Sequence, residues 1–247
     1  AIICVHLAGL SCEMDPIMEL AKSLDIFVIE DCSQAHGAKY KGRSVGSIGT
    51  IGTWSFCQDK ILTTGGEGGM ITTNDKDIWK YIWSYKDHGK NYDLVKKSNQ
   101  YNRFQWVHDS IGSNYRMTEF QGAIGRIQLR KLPLWNEIRT KNAEAILNVC
   151  RKFINLIRIS ESPKNVQHAW YKCYVFIRPE GIKAEWNRDK IINEINNNGV
   201  PCYSGTCPEV YLEKAIINKG LHPRKRLIVA KDLGETSLMF LVHPTLT

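Results

Sequence analysis

The chain has 247 residues, 43% of them hydrophobic and 23% charged, the balance of an ordinary globular protein with enough apolar mass to bury a core. Its net charge of +8 comes from 33 basic and 25 acidic side chains, but the basic residues are scattered and the densest run is only Arg224-Lys225-Arg226, which argues against a nucleic-acid partner. No stretch approaches the run of about 20 apolar residues that crosses a bilayer, and the opening Ala-Ile-Ile-Cys-Val-His-Leu run has neither a basic leader nor a small-residue cleavage site, so a cytoplasmic protein without a membrane partner is expected.

Residues 2 to 7 form a short apolar run that predicts a strand. Asp15-Pro16 then offers an N-cap followed by proline at the first helical position, where no amide donor is needed. Ile17, Leu20, Ala21 and Leu24 fall at i, i+3, i+4 and i+7 and predict one buried helical stripe. The continuous run Ile26-Phe27-Val28-Ile29 ends abruptly in Glu30-Asp31, completing strand, helix, strand. This alternation predicts an α/β domain with a mainly parallel sheet, in which ligands sit at the carboxyl ends of the strands. Further strands are predicted at residues 52 to 57 and 70 to 73, and a helix at 75 to 86 whose aromatic residues face the sheet or a partner.

Thr118-Glu119-Phe120-Gln121 fits a capping box, and Phe120, Ile124 and Ile127 keep helical spacing up to Pro133. Beyond it Trp135, Ile138, Asn142, Ala145, Val149 and Phe153 recur every three or four positions, predicting a long helix that leads out of the first domain. The expected division is therefore a large domain over residues 1–133 and a linking helix with a smaller α+β domain over 134–247. In the latter, residues 170 to 177 are aromatic and β-branched enough for a strand, and 187 to 198 read as a capped helix stopped by Gly199.

The cysteines, at 4, 12, 32, 57, 150, 173, 202 and 207, include no C-x-x-C pair and no four-ligand zinc spacing. Reduced, mostly buried thiols are expected, and no metal.

Three segments carry chemistry. Glu30-Asp31-Cys32-Ser33-Gln34-Ala35-His36-Gly37 places a carboxylate at the end of a buried strand, a position where Asp usually just caps the following turn. Trp54-Ser55-Phe56-Cys57-Gln58-Asp59-Lys60 delivers a lysine from a strand into the loop Thr63-Thr64-Gly65-Gly66-Glu67-Gly68-Gly69, whose glycines permit close backbone approach. Taken singly, the lysine reads as a solvated surface group and the loop as a connection between strands. Together they suit a Schiff-base lysine, which must be partly desolvated, and an acid opposite a pyridine nitrogen, which makes the ring an electron sink.

In order and spacing, EDCSQAHG, SFCQDK, TTGGEGGMITTND and GSNYRMTEFQGAIGRIQL resemble the motifs of the DegT/DnrJ/EryC1/StrS family of sugar aminotransferases, over essentially the whole chain. The resemblance implies a pyridoxal 5'-phosphate-dependent transferase of the aspartate aminotransferase-like fold type I. It also implies roles: Lys60 holding the cofactor as a Schiff base and shuttling a proton, Asp31 on the pyridine nitrogen, Gln34 beside the ring near its phenolic oxygen, and Ser55 donating to the phosphate. Asn114 would reach the phosphate of a neighbouring subunit's cofactor in a homodimer, with Arg116 beside it. His36 and His108 are candidate substrate contacts for which a structural hydrogen bond is the more ordinary role. The implied substrates are a nucleotide-linked keto-deoxy sugar and an amino acid, usually glutamate, in amino-sugar and surface-glycan biosynthesis. In the dehydratase branch of the family a histidine replaces the lysine, so Lys60 points to amine transfer. The competing reading is a dimer-forming relative that binds nucleotide sugar or cofactor without turnover; it gives no reason to keep Lys60 with Asp31.

Set beside a typical member, Ala1 falls inside the first domain, so roughly the first third of the expected chain is absent, including a Gly/Ser/Thr phosphate loop and an aromatic group that stacks on the ring. The final helix is likewise cut short after His243-Pro244-Thr245. An incomplete gene record explains this better than a natural truncation, because the remaining catalytic positions keep their residue types and a truncated parallel sheet would expose apolar edges.

Overall fold

The computed structural model describes residues 1–98 and 103–246. In chain order its elements are β1 (Ile2–Val5), α1 (Met14–Ser23), β2 (Val28–Asp31), β3 (Lys39–Tyr40), β4 (Arg43–Ser44), β5 (Ile51–Ser55), β6 (Gly69–Thr72), α2 (Lys76–Lys86), α3 (Tyr92–Ser98) and α4 (Glu119–Arg151). There follow β7 (Ile157–Ile159), β8 (Val166–Gln167), β9 (Cys173–Ile177), α5 (Arg188–Asn197), β10 (Cys202–Tyr203), α6 (Lys214–Ile217), α7 (Ile228–Thr236) and β11 (Ser237–Phe240). The chain divides into one compact unit of Ala1–Pro133 with Asn165–His168, and a second of Leu134–Lys164 with Ala169–Thr247.

The first unit is built on a sheet of order β1-β2-β5-β6. β1, β2 and β5 run parallel, in the register Val5 to Asp31 to Thr53, and β6 returns antiparallel beside β5. The sheet is thus mainly parallel, as the strand–helix–strand alternation predicts. Helix α1 packs on β2, with Met14 and Ala21 buried against Cys4, Val28, Tyr40 and Ile48.

Two expectations about α1 need correction. Glu13, not Asp15, is the residue before the helix, which begins at Met14. The Asp15 carboxylate instead pairs with Lys41, so its side chain is not available to cap. The buried stripe holds Met14 and Ala21, whereas Leu20 and Leu24 are 51% and 58% exposed. Helix α2 starts as expected, with Asp75 accepting from the amides of Asp77 and Ile78 at 2.9 Å. Two of its aromatics, Trp79 and Trp83, meet Tyr92 of α3 edge-on, at 4.8 and 5.0 Å between ring centroids.

Helix α4 is continuous through Pro133, with Thr118 and Gln121 forming the expected capping box. In its second half the buried positions are Asn136, Arg139, Ala143, Leu147 and Cys150. The periodicity of Trp135, Ile138, Asn142, Ala145, Val149 and Phe153 marks the helix, but these residues are half-buried or exposed and the buried face is offset from them. Polar residues occupy part of the buried face, and Arg139 can be there because its guanidinium donates to the carbonyls of Trp170 and Tyr171.

The second unit is an antiparallel sheet of order β10-β11-β9-β7. Helix α5 lies on β10 and β11, and α7 on β9, around a core that includes Leu147, Val175, Leu238 and Phe240. The strand expected from residue 170 begins only at Cys173, because Trp170 has φ +50°, outside the extended region. Asn187 caps α5 by accepting from the Lys190 amide at 2.9 Å, and Gly199, at φ +81°, follows its end. All eight cysteines are free thiols, five of them buried.

Candidate active site

Parallel strands bring their carboxyl ends to one edge of the sheet, and β1, β2 and β5 end there in Val5, Asp31 and Ser55. Side chains alternate along β2, so Glu30 and Asp31 face opposite sides of the sheet. Asp31 is half-buried; its Oδ1 accepts from the Ser33 amide at 3.0 Å, and its Oδ2 takes no hydrogen bond among the described residues. Gln34 lies just beyond, with Oε1 accepting from the Ala8 amide at 2.7 Å, which turns its amide nitrogen away as a donor.

Beneath Asp31, Glu30 is fully buried. Its Oε1 accepts from the amides of Ile48 and Gly49 at 2.8 and 2.6 Å, and its Oε2 from the Gly46 amide at 2.8 Å and His6 Nε2 at 3.0 Å. His6 Nδ1 accepts from the Cys12 amide at 3.1 Å, which requires a lone pair there and fixes the Nε2–H tautomer. Burial opposes the charge on Glu30, but His6 and the three amides outweigh it and hold the carboxyl below its usual range. Cys32 lies near this pair, yet both Glu30 oxygens are already engaged by N–H donors, so the cluster is a hydrogen-bonded knot. It ties β1 and β2 to the turn that feeds β5.

Past β5, Ser55 Oγ accepts from the Cys57 amide at 3.3 Å, leaving its hydroxyl hydrogen to donate. The Lys60 amide donates to the Cys57 carbonyl at 3.1 Å, closing a tight turn that presents a half-buried lysine side chain. The glycine loop is anchored on the first turns of α4. Gln121 Nε2 donates to the Glu67 carbonyl at 2.7 Å, and Gln128 Oε1 accepts from the Thr63 amide at 3.1 Å. Thr64, 1% exposed, donates to the same Glu67 carbonyl at 3.0 Å. Gly65 and Gly66 take φ +86° and +138°, and a Cβ on Gly68 would sit 2.3 Å from Thr64 Oγ1.

The remaining candidates lie elsewhere in the first unit. His36 is 3% exposed, its ring against Trp54 and Phe56 at 5.3 and 5.8 Å, a core position. His108 is exposed, in a backbone bridge with Lys90. Asn114 and Arg116 are exposed and hydrogen-bonded to each other beside Asp87. The His6–Glu30 knot and the long-range contacts of Gln121, Gln128 and Asp87 escape a reading of the sequence, since Glu30, Glu67, Thr63 and Arg116 are many residues from their partners; only Gln121, through the capping box, gave a local signal.

These groups fit the cofactor expected from the motifs. An unshared carboxylate oxygen suits a protonated ring nitrogen, a free hydroxyl hydrogen and a glycine loop suit a phosphate, and a lysine stands on the turn that follows Ser55. Comparison with known proteins bears on the same point. The profile of the DegT/DnrJ/EryC1/StrS aminotransferase family matches residues 1–247. A GDP-perosamine synthase of Escherichia coli O157:H7 is 36% identical over 248 residues, covering 100% of this chain and 61% of that protein. The X-ray structure of the aminotransferase from Psychrobacter cryohalolentis matches with a TM-score of 0.95 at 58% identity, over 100% of this chain and 64% of that one. The structure of S. venezuelae DesV matches with a TM-score of 0.80 at 25% identity, over 99% of this chain and 60% of that one. The chain thus spans between 60% and 64% of the length of these relatives.

Proposed function

The chain belongs to the DegT/DnrJ/EryC1/StrS aminotransferase family, and on that premise we propose that it moves an amino group from glutamate to a nucleotide-linked keto-deoxy sugar. The family's cofactor is pyridoxal 5'-phosphate, and its fold is the fold type I of the PLP-dependent sugar aminotransferases. The observation that carries the reading is the arrangement of Asp31 and Ser55 at neighbouring strand ends with Lys60 on the turn after Ser55.

When bound, the cofactor supplies an electron sink for the carbanion formed on the substrate. Asp31 Oδ2 holds the proton of the ring nitrogen, and Gln34 Nε2 donates near the phenolic oxygen. The Ser55 hydroxyl donates to the phosphate. Lys60 Nζ would be the point of covalent attachment and, as a free amine, would take up and return the proton of the substrate carbon. An amine that can be exchanged for another amine favours transamination over dehydration. Asn114 of one copy of the chain donates to the phosphate in the site of the other copy, so the working unit is a homodimer. The relative named GDP-perosamine synthase supports a nucleotide-linked sugar as acceptor. The free thiols support a cytoplasmic location; among the described residues no helix is long and apolar enough to cross a membrane.

The half-reaction tests the proposal without the sugar. Protein loaded with pyridoxal phosphate and mixed with glutamate is expected to release one equivalent of 2-oxoglutarate per site. Retained cofactor with no keto acid from glutamate or other amino acids would favour a binding protein over a transferase.

A further inference from the structure

Asn114 is held in one orientation by its neighbours. Its Oδ1 accepts from Arg116 Nε at 3.0 Å and from the Arg116 amide at 3.5 Å. Both partners are donors, so the oxygen faces them, and the two Nδ2 hydrogens find no acceptor among the described residues. The Arg116 guanidinium is in turn 3.5 Å from Asp87 Oδ1, and that oxygen also accepts from Lys90 Nζ at 3.1 Å. Asp87 is 8% exposed, whereas Asn114 is open to solvent. The backbone is fixed as well. Asp87 and Asn114 form an antiparallel bridge, His88 donates to the Ser113 carbonyl at 3.1 Å, and Tyr115 to the Lys86 carbonyl at 2.9 Å.

A carboxamide whose oxygen is already engaged presents only donors, the half that suits an anion's oxygen. We propose that Asp87 and Arg116 are positioning residues which act through Asn114, turning its amide nitrogen outward to donate to a phosphate oxygen. The inference rests on the role proposed above for Asn114 and names the groups that set its orientation. The Asp87 carboxylate contacts Lys90 and Arg116.

The test compares two ligands, pyridoxal phosphate and pyridoxal, the latter lacking only the phosphate, titrated into the chain and its variants. Deleting a carboxylate near an anion site strengthens anion binding by charge alone, so positioning and bulk electrostatics predict opposite signs for Asp87→Ala. The preference for the phosphorylated ligand is expected to fall about tenfold in Asn114→Ala and about fivefold in Asp87→Ala, with pyridoxal affinity unchanged. Asp87→Asn, which keeps an acceptor, should recover part of the loss. Arg116→Lys keeps the charge but not the Nε donor, should show the same fall as Asp87→Ala, and serves if Asp87→Ala does not fold. A loss in Asn114→Ala without a loss in Asp87→Ala and Arg116→Lys overturns the positioning role and leaves the reading of Asn114 intact. No preference for the phosphate in the parent chain, or none lost in Asn114→Ala, overturns both.

Discussion

Glu30 and Asp31 are consecutive on β2 and face opposite sides of the sheet, one sealed in a knot of four N–H donors and the other offering an unshared oxygen at the strand end. The knot fixes the turn 46–49, and through it the placement of β5 beside β2, so the buried carboxylate sets where Asp31 and the Ser55–Lys60 segment stand. Glu30→Gln removes the charge and one matched acceptor while keeping the shape. A loss of about 2–4 kcal/mol in urea unfolding is expected. Because the Glu30 carboxyl is held below its ordinary value, its contribution is complete above the unfolded-state value near 4.5 and is lost as pH falls through the folded one. The acid limb of the stability profile should therefore be shallower in Glu30→Gln, and identical profiles would show that the knot is not charged.

Asp31→Asn keeps the side chain's size and the turn at Ser33 but cannot hold a positive ring nitrogen. Cofactor binding is expected to persist, with turnover reduced by about a hundredfold or more. A fully active Asp31→Asn protein would remove Asp31 from the mechanism.

Gly68→Ala places a methyl group 2.3 Å from the buried Thr64 hydroxyl, so the loop must shift. A stability loss of about 1–3 kcal/mol is expected, with weakened cofactor binding. Gly66→Ala is the comparison: its Cβ meets nothing within 4 Å, although its φ of +138° adds strain. A Gly68→Ala protein with unchanged cofactor affinity would separate the loop from the site.

Local patterns made most of the elements legible. The Thr118–Gln121 box, the helix from Asp75 and the capped helix at Asn187 depend on neighbours within a few residues, and each stands where the sequence places it; the strand–helix–strand order of the opening holds as well, with shifted bounds. Phase and boundary were less legible. Leu20 and Leu24 have the spacing of a core stripe and are exposed, while Asn136 and Arg139 look like surface residues and are buried, Arg139 with its Nη1 donating to carbonyls of a distant segment. The motifs supplied Asp31, Ser55 and Lys60, yet not what holds them. Glu30 is bound to His6, 24 residues before it, and Gln121 to Glu67, 54 residues before it; such pairings exist only once the chain has folded.

The most direct test of the central claim is the visible absorbance of the purified protein with pyridoxal phosphate, followed by borohydride reduction and peptide mass mapping, for the parent chain and Lys60→Ala. The account predicts a yellow species in the parent, reduced onto the peptide that contains Lys60, and no such adduct in a folded Lys60→Ala protein. An adduct on another lysine, or one that persists in Lys60→Ala, would contradict it.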